Sequence, residues 1–182
     1  MTHSLVDAAV AGDLGECRRL YAERGCTRDA TTWVLLGGAA HGHLEVCQWL
    51  HETFGLTIED ARGYNNCALR FAAQYGHLEV CQWLHKTFCL TPADARADNN
   101  YALSAAAGNG HLGVCKWLRA TFALTPADAR AGNNWALRCA AKNGHLAVCQ
   151  WFHATFGLAA FEWEPVLATA TVPVAAWIAA LA

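Results

Sequence analysis

Apolar side chains recur along this chain at helical spacing, and the whole pattern returns every 34 residues. GHLEVCQWLH occupies residues 42–51 and recurs unchanged at 76–85, and looser copies follow at 110–119 and 144–153. A fixed period of this size is typical of repeat proteins. In the first copy the apolar positions that share one helical side are Leu44, Val46, Cys47, Trp49, Leu50 and Phe54. They predict an amphipathic helix of about three turns.

A second helical segment precedes each Gly-His-Leu. In NNYALSAAAGN (99–109) we interpret Asn-Asn as a helix N-cap and Gly108-Asn109-Gly110 as a helix stop followed by a tight turn. Small residues in this segment allow neighbouring helices to approach closely: Ala72, Ala73, Ala106, Ala107, Ala140 and Ala141. Each repeat is therefore predicted to be a helix-turn-helix unit.

A polar segment links one unit to the next. Thr91-Pro92-Ala93-Asp94 has the form of a capping box, with Thr at the N-cap, Pro at the first helical position and an acid at the third. It predicts short extra helices at about 91–97 and 125–131, and a weaker one at 57–63. Capping and an ion pair with the arginine two residues later explain the repeated acids, which are Asp60, Asp94 and Asp128.

The string Ala-Ala-x-Asn-Gly-His-Leu before a V-x-x-x-L helix occurs in AAGNGHLGVCKWL (106–118) and AAKNGHLAVCQWF (140–152). It resembles the ankyrin repeat, and the resemblance extends from residue 4 to about 158. It implies an all-α helical-repeat solenoid that binds proteins. The usual Thr-Pro-Leu-His is replaced, as in Tyr101-Ala102-Leu103-Ser104, and we expect short helices in place of the β-hairpin fingers. The style is similar to arrays in large DNA viruses of amoebae, which implies a viral protein.

The register predicts one solenoid domain over residues 1–182. A charged N-terminal capping repeat occupies 1–30, as the exposed end of a stack requires. The repeats that follow start near 31, 65, 99 and 133. An apolar capping segment, 159–182, is interpreted as ending in a closing helix at about 173–181. The alternatives for this tail are membrane insertion, which its prolines and weakly apolar alanines disfavour, and a surface that forms a dimer from an otherwise monomeric chain.

Composition excludes several classes of protein. With 54% hydrophobic residues, 15% charged residues and a net charge of -2, the chain can build a core and offers no electrostatic case for nucleic acid. Five of its nine cysteines share one repeat position: Cys17, Cys47, Cys81, Cys115 and Cys149. Equivalent helices pack about 8–10 Å apart, farther than a disulfide allows. We therefore expect free thiols inside a cell, in its cytoplasm or in the host cytoplasm if the protein is viral.

One repeated constellation has metal-ligand chemistry. His43, Cys47 and His51 lie four residues apart on one helical side, and imidazole and thiolate bind zinc. Against a metal site, the cysteine belongs to the apolar stripe and Arg119 replaces the last histidine in one copy. A catalytic group is needed once, whereas these residues recur. We therefore predict no metal, no cofactor and no enzyme activity, and keep a metal-binding array as an alternative.

Positions whose residue changes from repeat to repeat are not required for stacking of the repeats. We assign Trp49, Trp83, Trp117 and Trp151, which do not change, to the core. The changing positions predict a concave partner-binding surface formed by Tyr64, Arg70, Tyr75, Asp98, Tyr101, Ser104, Trp135, Arg138 and Lys142. Aromatic residues and arginine are frequent interface anchors. The alternative for Tyr101 and Trp135 is packing between repeats, and the alternative function is a purely structural or engineered scaffold.

Overall fold

The computed structural model describes residues 4–157 and 164–181, and over these ranges the chain forms helices and no strands. In chain order the helices are α1 (Leu5–Ala11), α2 (Leu14–Arg24), α3 (Arg28–Ala40), α4 (Leu44–Phe54), α5 (Ile58–Ala61), α6 (Gly63–Gln74), α7 (Leu78–Phe88), α8 (Pro92–Ala95), α9 (Ala97–Gly108), α10 (Leu112–Phe122), α11 (Pro126–Ala129), α12 (Ala131–Lys142), α13 (Leu146–Phe156), α14 (Glu164–Leu167) and α15 (Val172–Ala179). The predicted all-α repeat fold is confirmed. Short helices occupy the three inter-repeat segments, as the capping boxes predicted.

The chain forms two compact units, residues 1–94 and 95–182. In the first, α3 packs against α1, α4 and α6, and α6 packs against α7. In the second, α12 packs against α9 and α13, and α10 packs against α9. The fully buried leucines at the centre of these packings are Leu35, Leu50, Leu69, Leu84, Leu103, Leu118 and Leu137. The arrangement of all repeats in one domain over 1–182 stays a prediction.

Within each unit, the histidine of the Gly-His-Leu turn contacts the preceding repeat. The Nε2–H of His43 donates to the Val10 carbonyl over 2.9 Å, and that of His77 donates to the Ala40 carbonyl over 3.0 Å. The histidine ring also covers the turn glycine of the preceding repeat. A Cβ on Gly110, whose φ is +79°, would lie 2.6 Å from Nδ1 of His145. This contact explains why Gly and His recur together.

The capping boxes form as predicted, but their acids pair differently. The Asp60 carboxylate accepts from the backbone N–H and the hydroxyl of Thr57, and equivalent bonds join Thr91 to Asp94 and Thr125 to Asp128. The pairing with the arginine two residues later was wrong. Each acid instead binds an arginine 32 residues earlier, in the pairs Arg28–Asp60, Arg62–Asp94 and Arg96–Asp128. Stacking of the repeats brings these groups together.

The interpretation of Asn-Asn as an N-cap was also wrong. Asn99 and Asn100 have φ of +55° and +60°, and with Asp98 at +54° they form a left-handed turn between α8 and the helical part of α9. The same turn occurs at 64–66 and 132–134. Asn, Asp and Gly tolerate this conformation better than other residues, which accounts for their presence here.

The C-terminal segment repeats the second helix of a unit in shortened form. The Thr171 N–H donates to the Ala141 carbonyl over 3.1 Å, and α15 follows at once. Val174 and Ile178 are buried, and Trp177 meets the ring of His153 at 5.9 Å. This helix packs on α13 and matches the closing helix predicted at about 173–181. The start of the predicted capping segment, up to 163, lies outside the described residues.

The assignment of all four repeated tryptophans to the core was too simple. Trp49 is buried, but Trp83, Trp117 and Trp151 are half-buried. Each of these three meets the phenylalanine five residues later edge to face, with ring centroids 5.5 Å apart. An indole is large, so one face commonly stays at the surface while the other packs.

Candidate functional site

Six of the nine predicted surface residues lie around two adjoining depressions in the second unit. The shared wall is Trp135, whose side chain is 51% exposed. On one side lie Asp98, Tyr101 and Ser104, and on the other lie Arg138 and Lys142. The residues come from α9 and from α12, which pack against each other. We call this region the Trp135 surface, defined by Asp98, Tyr101, Ser104, Trp135, Arg138 and Lys142.

The first depression, of about 230 Å³, carries an acid at its edge. Asp98 is exposed because the left-handed turn places it outside the helical part of α9. Tyr101 is half-buried. Ser104 is only 6% exposed, and its hydroxyl donates to the Asn100 carbonyl over 2.9 Å. Ser104 therefore lies at the floor, while Asp98 and the ring of Tyr101 are accessible at the rim.

The second depression, of about 280 Å³, is lined by Trp135, Arg138, Cys139, Lys142, Asn143 and Thr169, and we call it the basic depression. The Arg138 guanidinium carbon lies 5.9 Å from the centroid of the Trp135 ring, which is within cation–π range. Burial raises the pKa of the Cys139 thiol, although Arg138 and Lys142 act in the opposite direction. The thiol is therefore neutral near neutral pH, and the charge of the depression is positive.

The other three predicted residues belong to the first unit. Tyr64 is 58% exposed and lies in the left-handed turn that precedes the helical part of α6. Arg70 donates to the Asn65 carbonyl over 3.4 Å, a long bond that keeps its side chain against the same turn. Tyr75 is 53% exposed at the other end of α6. The first unit thus presents two tyrosines, and Arg70 lies near one of them.

Sequence reasoning missed Trp33, which occupies the same repeat position as Cys67, Tyr101 and Trp135. Trp33 is 51% exposed, and its ring stacks at a tilt on Tyr64 with centroids 5.0 Å apart. The 34-residue register would have found it, because it lies 34 positions before Cys67. Thr169 was also missed, since it follows the last full repeat and no register position pointed to it.

The repeated histidines and cysteines point to different neighbours. His51 and His85 use Nδ1–H to bind the carbonyls of Leu56 and Leu90, over 3.1 and 3.0 Å. His43 binds the preceding repeat, and Cys47 is buried. Among the described residues no group of three His, Cys, Asp or Glu side chains could hold a metal ion. Within the same residues no helix has the length and apolar character needed to cross a membrane.

The fold and this surface define a class of protein, the helical-repeat proteins that present variable side chains from a regular stack. Two family models of ankyrin repeats match, one over residues 69–155 and one over residues 38–85. The chain belongs to the ankyrin repeat family.

A solved structure of an ankyrin repeat family protein from Legionella pneumophila has the same fold, with a TM-score of 0.63 and 24% sequence identity. The match covers 86% of this chain and 48% of that protein, so the chain spans about half the length of its structural relative. Among the curated proteins none matches this sequence.

Proposed function

We propose that this chain is a non-enzymatic interaction module that binds a protein partner through the Trp135 surface. Ankyrin repeats are in general protein–protein interaction modules. The observation that carries the proposal is the convergence of six repeat-variable side chains on two adjoining depressions with a half-exposed tryptophan between them. Variation between repeats indicates that these side chains are not required for stacking, and convergence gives them a common use.

The residue types support a protein partner. Trp, Tyr and Arg are enriched among the residues that dominate binding energy, and a hot spot needs an anchor with a pocket beside it. Trp135 supplies the anchor and the depressions on either side supply the pockets. The opposite charges at their edges, Asp98 on one side and Arg138 with Lys142 on the other, would orient a bound segment.

The first unit offers a second contact surface, formed by Trp33, Tyr64, Arg70 and Tyr75. The Trp33 and Tyr64 rings stack on each other at the surface, so part of the cost of ordering them on binding is already met. We propose that this aromatic pair is a separate contact for a protein partner on the first unit. Its loss is expected to weaken binding less than loss of Trp135, because the Trp135 ring lies between two depressions that can receive side chains of the partner.

The proposal is tested by affinity capture from the cells of origin, comparing the native chain with a variant that carries Tyr101→Ala, Trp135→Ala and Arg138→Ala. The matched control carries Lys116→Ala and Gln150→Ala, which change exposed residues on α10 and α13. Circular dichroism and urea unfolding first establish that all three chains are folded. A captured protein is then purified and its affinity for each chain is measured by calorimetry.

A partner that binds the native and control chains but loses at least about tenfold in affinity for the triple variant supports the proposal. Equal affinity for all three chains would refute the Trp135 surface as the binding site. No direct binder for any chain would favour the alternative of a structural scaffold. Equilibrium dialysis against zinc decides the second alternative, a metal-binding array.

We further propose an intracellular, cytoplasmic location and a monomeric chain. All nine cysteines are free thiols, which supports a reducing compartment. Part of the apolar tail is used internally, because Val166, Val174 and Ile178 are buried. Val172 is 82% exposed, and a dimer through this tail is the alternative. Light scattering on the purified chain distinguishes the two states, and a Val172→Ser variant tests whether any dimer uses the tail.

A further inference from the structure

The basic depression has a charge pattern that selects a particular chemistry in the partner. We propose that it receives the carboxylate side chain of an acidic peptide segment, with the Trp135 ring covering the apolar residue next to that acid. This inference rests on the proposed function, because it specifies what the partner presents to the same surface.

The charged side chains that line the basic depression are both positive. Arg138 and Lys142 line it, and no aspartate or glutamate of the described chain does so. Neither cation forms an ion pair with a described carboxylate. Elsewhere in the described chain, Arg28, Arg62 and Arg96 each bind an aspartate. Arg138 and Lys142 differ from these arginines because no carboxylate of the described side chains pairs with them.

The Arg138 guanidinium contains a hydrogen-bond donor without an acceptor. The Nε of Arg138 is buried and has no hydrogen-bond partner among the described residues. A buried N–H without an acceptor is costly, and its presence in a folded protein calls for an explanation. Arginine presents its N–H groups as a planar fork that matches a carboxylate. Arg138 lines the basic depression, so an acidic side chain bound there would meet its guanidinium group.

Carbonyl groups near the C-terminus of α12 accept hydrogen bonds, which reduces their repulsion of an anion. Arg138 and Lys142 lie in the last turns of α12, where free carbonyl groups would carry partial negative charge. The Ala140 and Ala141 carbonyls accept from the backbone N–H groups of His145 and Thr171. The Gly108 carbonyl nearby accepts from Nδ2 of Asn143 over 2.6 Å. These acceptors are therefore occupied.

The size of the basic depression suits a single side chain. At about 280 Å³ the depression lies at the small end of the range for ligand pockets, so it suits one side chain better than a complete metabolite. Its wall is the exposed face of Trp135, which is apolar. An acid beside an apolar or aromatic residue fits both parts, and a segment of peptide can place two such residues side by side.

The experiment selects peptides from a displayed random library on the full chain. The most enriched peptide is synthesised with its acidic residues and again with each replaced by the corresponding amide, and fluorescence anisotropy measures both at low and at high salt. The protein variants are Arg138→Gln and Lys142→Glu. Lys116→Glu is the matched control, because Lys116 is also an exposed lysine of the second unit and the net charge changes equally.

The expected result is enrichment of Asp or Glu beside an apolar residue, and affinity about tenfold lower for the amide peptide than for the acidic one. Lys142→Glu and Arg138→Gln should remove this difference, and Lys116→Glu should retain it. Higher salt should weaken the acidic peptide more than the amide peptide. Because Lys142 is exposed, its variant keeps the test decisive even if Arg138→Gln fails to fold.

Three outcomes would overturn the inference. The first is that the selected peptides lack acidic residues, and the second is that Lys142→Glu and Lys116→Glu change the affinity for the acidic peptide equally. The third is displacement of the peptide by single-stranded oligodeoxythymidine, which would indicate nucleic acid as the ligand. The triple variant Tyr101→Ala, Trp135→Ala and Arg138→Ala separates this failure from that of the proposed function. Unchanged peptide binding by that variant refutes the Trp135 surface itself. If the variant loses binding while the native chain binds the acidic and the amide peptide with equal affinity, only the carboxylate is refuted.

Discussion

Arg62 binds both carboxylate oxygens of Asp94, with its Nε 2.7 Å from Oδ1 and its Nη2 3.0 Å from Oδ2. The two residues are 32 positions apart, one in each of two successive inter-repeat segments. Asp94 also accepts from Thr91, so a single carboxylate caps its own short helix and holds the preceding repeat. Arg96 and Asp128 repeat this arrangement in the second unit. The 34-residue period is thus maintained by charge-assisted bonds as well as by apolar packing.

These pairs predict a loss of stability in acid. Burial alone would raise the pKa of Asp94, but the hydrogen bonds from Arg62 and Thr91 outweigh it and hold the pKa at about 2. The hydrogen bond from Arg96 is the largest cause that holds the pKa of Asp128 at about 2, against the effect of burial. A carboxylate whose pKa is lowered by folding stabilises the fold above its unfolded pKa, near 4. That stabilisation is lost as pH falls from about 4 to 2.

We expect Asp94→Asn and Asp128→Asn each to lower the free energy of unfolding by about 1–2 kcal/mol near neutral pH. This loss is smaller than the free energy that corresponds to the whole pKa shift, because the arginine partners are partly solvated. Near pH 2 each variant should approach the native chain in stability. Urea unfolding between neutral pH and pH 2 measures the loss of stability and its dependence on pH, with Glu52→Gln as a control for removal of an exposed acid. A difference from the native chain that is constant with pH would contradict the role of the ion pair.

The turn glycine under each histidine ring gives a second prediction. Gly110 has φ of +79°, and an added Cβ would lie 2.6 Å from Nδ1 of His145. Gly110→Ala should therefore combine backbone strain with a steric clash and lower the free energy of unfolding by about 2–4 kcal/mol. Urea unfolding monitored by circular dichroism gives the value.

Two controls separate the contributions to the Gly110 effect. Gly157 has φ of +60° with no atom within 4 Å of an added Cβ, so Gly157→Ala should show only the strain, about 1 kcal/mol. Gly113 lies in helix α10 with open space around it, and Gly113→Ala should stabilise by about 0.5–1 kcal/mol. Equal losses for Gly110→Ala and Gly157→Ala would show that the histidine ring moves aside at no cost.

The repeat unit was predictable because its determinants are local and recur. The apolar stripe, the Gly-His-Leu turn and the Thr-x-x-Asp capping box each act within a few residues, and each formed where the sequence placed it. The left-handed turn was not predicted because asparagine is favoured both at N-caps and at positive φ. Tyr64, at φ of 52°, also made the turn harder to predict, since an aromatic residue is unusual in the left-handed conformation.

The site was predictable only in part, because its geometry depends on contacts distant in sequence. The repeat register separated variable from constant positions and so found the residues of the Trp135 surface. It could not show that Ser104 is buried or that Thr169 lines the basic depression, since both follow from packing between elements. The ion-pair partner of Asp94 was missed for the same reason. Arg96 is closer along the chain, but stacking brings Arg62 to the carboxylate.

Helix C-termini offer a route to higher stability. Ala123 follows α10 with φ of 50°, in the left-handed conformation that glycine adopts at the equivalent positions, Gly55 and Gly157. Ala123→Gly should raise the free energy of unfolding by about 0.5–1 kcal/mol, because glycine adopts positive φ without strain. The urea midpoint measures the change. Ala120→Gly, inside the same helix, should destabilise by about 1 kcal/mol and serves as the control.

A gain at position 123 with a loss at position 120 is the expected pair of results. Losses of similar size at both positions would mean that the strain at Ala123 is too small to offset the unfolded-state entropy of glycine. Cys89 occupies the equivalent position after α7, with φ of 51°. Cys89→Gly should therefore reproduce the gain in the first unit.

The cysteines predict a graded reactivity that tests both their burial and the stacking of the repeats. Burial raises the pKa of the thiols of Cys47, Cys81, Cys115 and Cys149 to about 12, so almost no thiolate is present at pH 8. Cys89 is exposed at the end of α7. Iodoacetamide should alkylate Cys89 first in the native chain, at a rate at least about a hundredfold above the buried four.

Mass spectrometry of peptides from timed samples measures these rates, and unfolding in urea provides the control, since all nine thiols should then react at similar rates. Alkylation of the four buried cysteines should follow the rate at which the repeats open. Cys115 and Cys149 lie in the same unit as Gly110, so their alkylation should be faster in the Gly110→Ala variant. If Cys115 reacted as fast as Cys89 in the native chain, its helix would not be packed as the repeat register requires.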